Sequence, residues 1–368
     1  MEGEISNFIT IWITVLASLC FCHTIGKIIK QGTPRLLAIL PIIILFLLLP
    51  LNLTTVFLGG PTSFIVSWLA TFKLLLFSFG KGPLSSNSNQ PLPLPRFISL
   101  ACFPIKLQND NPSPQNDNKC HKSPLNYNIK ILLYSTILPV YRNKEFIDPK
   151  LFLFFYSIYT YISLEIILAI CGSLARAILG VELEPQFDEP YLSTSLQDFW
   201  GRRWNLIASG ILRPTVYEPI RSISSRWMGK KWAPLPAVIA SFAVSALMHE
   251  LIFYHLGRSK PTGGLTCFFL LHGVCLAIEI GIKKSFNGKW SLPRAVSGVL
   301  AMSFVMVTGL LLFAPALMRI GADVRGNKEI LAFIEFLKSL TWNVLDSNLK
   351  SLFRFHHLFS TKYVLYFH

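Results

Sequence analysis

Asp198-Phe199-Trp200-Gly201-Arg202-Arg203-Trp204-Asn205 places two tryptophans, two arginines and an asparagine between apolar stretches of membrane length. After a charged loop, Ser245-Ala246-Leu247-Met248-His249-Glu250-Leu251-Ile252-Phe253 sets a histidine inside one of those stretches, 249 − 205 = 44 residues beyond Asn205. An unpaired polar group in hydrocarbon costs several kcal/mol, so polar side chains at this depth are functional candidates by default.

The rest of the chain supplies the membrane. Of its 368 residues 52% are hydrophobic and 14% charged, against about 25% charged in soluble domains, and the mean hydropathy is +0.49. The reading is an all-α, polytopic membrane helical bundle of about eight spans, forming one domain over 1–346 with a tail of unassigned role at 347–368. The net charge of +15 would suggest nucleic acid in a soluble protein. Here the basic residues cluster in particular loops without a nucleic-acid motif, which points instead to topology, lipid headgroups and an anionic substrate. The seven cysteines match neither a zinc nor a disulfide framework and read as reduced thiols. The start, Met1-Glu2-Gly3-Glu4, lacks the basic region of a cleaved signal peptide, so the first apolar run is expected to remain as an anchor.

A spanning helix needs roughly 20 apolar residues. Such runs occupy about 7–26, 36–58, 62–79, 128–141, 150–172, 234–256, 265–282 and 296–318. The fourth is short and is open to a re-entrant reading; the second carries Pro41 and Pro50 and is expected to be one kinked span. With eight spans and a luminal N-terminus, most basic residues fall in cytosolic loops, including 176–233, as the positive-inside bias requires. Segment 81–127, rich in Pro, Asn and Ser, reads as a flexible cytosolic loop. Ile330, Phe333, Ile334, Leu337 and Leu340 recur at helical spacing and predict an amphipathic interfacial helix over 328–342.

His249 is surrounded by apolar neighbours. A neutral imidazole is a competent general base, worth about 10²–10⁴-fold in rate; a histidine bonded between two helices for packing fits the segment equally well. His249-Glu250 lacks the second histidine four residues on that a zinc protease requires, because residue 253 is Phe, and no metal site is expected. Asn205 offers a donor and an acceptor, suited to orienting the histidine, to a carbonyl gaining charge, or to packing. Arg202, Arg203 and Arg213 suit phosphates through their planar forks, and equally suit a topology signal. Trp200 and Trp204 fit interfacial anchoring. His272 and Glu279 are seven residues apart, on one helix face turned inward, lining a substrate path or stabilising the bundle. Lys73 and Glu165 are further intramembrane charges.

Four ordered stretches carry a family likeness: Ser195-Leu-Gln-Asp-Phe-Trp-Gly-Arg-Arg-Trp-Asn-Leu, Leu212-Arg-Pro-Thr-Val-Tyr-Glu-Pro, Ser245-Ala-Leu-Met-His-Glu and Leu271-His-Gly-Val-Cys-Leu-Ala-Ile-Glu. The chain resembles the plant wax synthase family, long-chain-alcohol O-fatty-acyltransferases and related sterol acyltransferases of the membrane-bound O-acyltransferase superfamily. The resemblance implies a helical bundle around a central reaction chamber in the endoplasmic reticulum membrane. It implies acyl transfer from acyl-CoA, a substrate rather than a bound cofactor, to a long-chain alcohol or, as the alternative, a sterol. It places the superfamily histidine at His249 and its upstream asparagine at Asn205, as catalytic residues. Arg202, Arg203, Trp204, Arg213, His272 and Glu279 are then the expected substrate-binding residues, with membrane lipids as the remaining partners. The competing class is a non-catalytic lipid transporter or lipid-binding membrane protein, for which the intramembrane charges would line a path.

Overall fold

The computed structural model describes residues 2–85, 92–104, 124–142, 144–180, 186–286, 293–322, 324–326 and 328–339. Among them the regular structure is helical. The spans are α1 (Glu2–Ile28), α2 (Thr33–Leu48, extended by a 3₁₀ turn to Asn52), α3 (Val56–Thr62) running through a π-helical turn (Ser63–Ala70) into α4 (Thr71–Ser78), and α7 (Pro149–Leu179). They continue with α11 (Pro234–Gly257), α12 (Gly264–Ser285) and α13 (Arg294–Thr308), the last joined through a second π-helical turn (Gly309–Phe313) to α14 (Ala314–Arg319). Short helices lie between them: α5 (Leu94–Cys102), α8 (Leu196–Asp198), α9 (Leu206–Leu212) and the basic α10 (Glu218–Trp232).

Seven helices among the described residues are long and apolar enough to cross a membrane. The expected fourth run lies in α6 (Pro124–Arg142), 19 residues long but interrupted by Asn126, Asn128 and Lys130, and is not among the seven. Hydrogen bonds fix which of the other helix ends share a face. Glu4 accepts from the backbone N–H of Thr54 and Thr55 at 2.6 and 2.7 Å, and Arg258 donates to the carbonyls of Leu51 and Leu53. The N-terminus, the end of α2 and the end of α11 therefore share one face. Gly32 N–H donates to Ser78 O at 2.7 Å on the opposite face, where α11 must also begin. Between Ser78 and Pro234 α7 is the one candidate span among the described residues, and α6 packs against it. The basic α10 and the Lys283–Lys284 end of α12 lie on that second face, where Lys284 donates to Lys231 O.

Two expectations are corrected. The run 36–58 does not form one kinked span: helix ends at Asn52 and resumes at Val56, because Pro50 cannot donate to the ladder and Glu4 holds the freed N–H groups of Thr54 and Thr55. Segment 81–127 is not wholly a loop. Within it α5 packs Phe97, Leu100 and Ala101, at helical spacing, into the core beside α1, and buried Lys73 of α4 donates to the last carbonyls of α5, Leu100 O at 2.7 Å and Phe103 O at 2.8 Å. A cation at a helix C-terminus satisfies carbonyls that have no intrahelical partner. The remainder, 86–91 and 105–123, lies outside the described residues, as do Leu340 and the tail 347–368.

The amphipathic helix covers 328–339. Its Phe333 packs on Phe57 at 5.5 Å between ring centres, while Ile330 and Ile334 are exposed. The run α3–α4 is the most enclosed span, with 72% of its central window buried against 11% for α13–α14. It is the element against which the site is built.

Candidate active site

The motif segment enters the bundle at the Lys283–Lys284 end of α12. Leu196 N–H, at the start of α8, donates to Glu279 Oε2 of α12 at 2.9 Å, and Lys283 closes the other carboxylate oxygen at 2.6 Å. Glu279 thus fastens the segment to α12. A π-helical turn (Phe199–Arg203) follows, then Trp204, then Asn205 in the left-handed conformation at φ 41°, which asparagine tolerates better than most residues. Asn205 caps α9: its Oδ1 accepts from Ala208 N–H at 3.2 Å. Its amide nitrogen makes no hydrogen bond to the described residues and keeps two donors available.

α9 packs Ile207, Ala208, Ile211 and Leu212 against Trp68 and Leu69 of the π turn in α3–α4 and against Met248 and Ile252 of α11. That contact brings the Asn205 turn beside the helix that carries His249. His249 lies fifteen residues after Pro234, roughly 22 Å along α11 at about 1.5 Å per residue. Its Nδ1 is 2.8 Å from Ser245 O. A carbonyl only accepts, so Nδ1 carries the proton and Nε2 presents a lone pair. Nε2 makes no hydrogen bond to the described residues, and the side chain is partly accessible. Aromatic rings surround the imidazole: Trp68 edge-on at 5.1 Å, Phe269 at 4.2 Å and Phe313 at 6.1 Å. Trp68 and Phe313 both lie in π-helical turns, which often mark functional sites. The close approach of α11 and α12 depends on Gly273, where an added Cβ would meet Phe242 at 2.7 Å.

The remaining predicted residues separate into two groups. Arg202 is exposed and makes no ion pair or hydrogen bond with the described residues; Arg213, also exposed, faces Glu218 at 3.4 Å. Both are exposed and can meet an anion at the surface. Arg203, by contrast, is engaged in the fold, donating to Asp198 at 2.9 Å and to the carbonyls of Asp188 and Glu189. Trp204 stacks between Phe199 and Tyr161, at 5.3 and 5.8 Å. His272 is fully buried, with both ring nitrogens bonded, Nδ1 to Trp200 at 3.0 Å and Nε2 to Thr308 at 2.8 Å.

Sequence reasoning did not single out Trp68, Phe269, Phe313 or Thr308, because an aromatic or threonine in a spanning run carries no mark separating a site wall from lipid-facing or core packing. Trp200, read as an interfacial anchor, points inward instead and bonds His272. Glu250 accepts from Thr266 N–H at 3.2 Å and its hydroxyl at 3.0 Å, which seats the start of α12.

The arrangement can take up a proton at Nε2 among aromatic rings, and the Asn205 amide, on the segment that leads into α9, carries two unengaged donors. Residues 183–271 match the family model "Membrane bound O-acyl transferase family". The chain is 45% identical to "Acyl-CoA--sterol O-acyltransferase 1" of Arabidopsis thaliana over 90% of this chain and 96% of that protein. It is 44% identical to "Long-chain-alcohol O-fatty-acyltransferase" of Simmondsia chinensis over 89% of this chain and 94% of that protein. It is also 44% identical to "Probable long-chain-alcohol O-fatty-acyltransferase 3" of Arabidopsis thaliana over 92% and 97%. The chain belongs to the wax synthase-like long-chain-alcohol O-fatty-acyltransferase family, within the membrane-bound O-acyltransferases.

Proposed function

We propose that this chain transfers an acyl group from acyl-CoA to the hydroxyl of a long-chain fatty alcohol, giving a wax ester and free CoA, in the endoplasmic reticulum membrane. One observation carries the mechanistic reading: His249 Nε2 is unprotonated and unpartnered within an apolar aromatic wall. The alcohol enters from the membrane and donates its hydroxyl proton to Nε2. The oxygen attacks the thioester carbonyl, and negative charge collects on the carbonyl oxygen. The free amide N–H groups of Asn205 hold that charge, a contribution of about 10²–10³-fold in rate for one oxyanion donor. The C–S bond then breaks, and the CoA thiolate takes the proton from Nε2–H, so the histidine ends as it began. Direct attack needs no acyl-enzyme, and proton transfer with oxyanion binding calls for no bound metal or cofactor.

Acyl-CoA is placed with its phosphates on the cytosolic face, where Arg202 and Arg213 are exposed, and its thioester at the depth of His249. Exclusion of water by the aromatic wall protects the thioester from hydrolysis.

A second acceptor, a sterol, is favoured by the equal similarity to a relative named for that activity. Lipid analysis of yeast lacking neutral-lipid synthesis, expressing this chain and fed a long-chain alcohol and a sterol together, decides between them. Wax esters predominating supports the proposal; steryl esters predominating reassigns the acceptor; neither ester forming rejects acyl transfer to both.

A further inference from the structure

His272 was expected among substrate-binding residues, yet its ring is fully buried and both nitrogens are engaged. The donors settle the order of the bonds. An indole N–H only donates, so His272 Nδ1 accepts from Trp200 Nε1 at 3.0 Å. Nε2 therefore carries the proton and donates to Thr308 Oγ1 at 2.8 Å, and the Thr308 hydroxyl donates to Phe304 O at 2.7 Å. The chain of bonds runs without a break from the motif segment, through α12, to the end of α13.

Each linked segment contributes to the reaction pocket. Trp200 precedes Asn205 by five residues, and its carbonyl accepts from Ser209 of α9 at 3.2 Å. α12 carries Phe269, against the His249 ring. Thr308 leads directly into the π turn that ends at Phe313, also against His249. The Trp200 ring stands edge-on to Phe242 at 5.2 Å, tying the same cluster to α11.

We propose that His272 is a positioning residue for the acyl transfer: by joining Trp200 to Thr308 it holds the Asn205 turn, Phe269 and Phe313 in one register around His249. It touches no reacting atom; it sets where the oxyanion donors and the base stand relative to each other. This rests on the acyl-transfer reading above.

The test uses the full-length chain in membranes, with turnover expressed per mole of folded protein from detergent size-exclusion chromatography. Thr308→Val keeps the shape and removes the acceptor for His272. It is expected to lower kcat by up to about 100-fold, the scale of a 1 Å misplacement of reacting groups, with KM for acyl-CoA and for the alcohol unchanged. Thr308→Ser restores the hydroxyl and is expected to restore kcat. Trp200→Phe keeps a ring and removes the indole donor, and carries the same expectation if the valine variant does not accumulate. Wild-type kcat in Thr308→Val and Trp200→Phe overturns the proposal, as does a loss of activity that only follows the loss of folded protein. His249→Ala is assayed beside them. If it is inert while both relay variants turn over normally, the relay alone fails; if it turns over normally, the assignment of His249 as the base fails; if the wild-type chain forms no ester, the acyl-transfer reading fails.

Discussion

His249 Nδ1 lies 2.8 Å from the carbonyl oxygen of Ser245, one turn earlier in α11. The bond is made within one helix, so it survives any rearrangement that leaves α11 intact, and it leaves the other ring nitrogen as the acceptor. The imidazole is thus oriented by its own backbone, while its surroundings, Trp68, Phe269 and Phe313, come from three other segments.

Asn205 combines two tasks that different substitutions separate. Asn205→Asp keeps the oxygen that caps α9 and removes both amide donors, so protein level should hold while kcat falls about 10²–10³-fold. Asn205→Ala also loses the cap, at about 1 kcal/mol, and should lower the denaturation temperature in detergent as well. Aspartate at wild-type turnover would remove Asn205 from the chemistry.

Arg202 and Arg203, adjacent in sequence, should behave oppositely. Arg202→Gln removes an exposed guanidinium and should raise KM for acyl-CoA, with kcat little changed and with a weaker dependence on salt. Arg203→Gln unties Asp198 and two carbonyls and should reduce the yield of folded protein. Kinetics over a range of ionic strength on the purified variants checks both; equal effects on KM would contradict the assignment.

Lys130 of α6 and Glu165 of α7 form a buried ion pair at 2.7 Å, with side chains 7% and 3% exposed. Removing one partner should destabilise by about 3–5 kcal/mol, since the other charge stays buried. Lys130→Leu and Glu165→Leu should each lower the denaturation temperature more than the double variant does. Additive losses would show that the two charges act independently.

An even number of crossings between Ser78 and Pro234 predicts that α6 crosses the membrane and that the 144–148 turn lies on the luminal face. Glu145 is exposed in that turn, and Ser285 is exposed at the cytosolic end of α12. Glu145→Cys in a cysteine-free background should react with a membrane-impermeant maleimide only after sealed microsomes are opened, whereas Ser285→Cys should react in intact ones. Labelling of both in intact vesicles would remove α6 from the membrane.

Much of the scaffold was legible because spanning helices must be long and apolar, and seven of the eight runs read from sequence are such helices. The errors fall where local polar bonds override hydropathy: Glu4 ends α2 at the Thr54–Thr55 break, and Lys73 seats α5 within a segment whose composition looks unstructured. In the site, His249 and Asn205 were legible as polar residues in apolar surroundings. Their two neighbouring arginines were not separable, because exposure of Arg202 and engagement of Arg203 depend on a π-helical turn that residue type does not encode. The Trp200–His272–Thr308 chain joins residues 72 and 36 positions apart, which no local pattern links.

The central claim is that His249 Nε2 takes the acceptor's proton. Its most direct test is wax-ester formation from labelled acyl-CoA and a long-chain alcohol by microsomes carrying His249→Ala, at protein levels matched to wild type. Loss of at least about 10²-fold in turnover, the lower bound for a well-placed general base, with the folded protein retained, is the predicted result. Turnover near the wild-type rate would contradict the account.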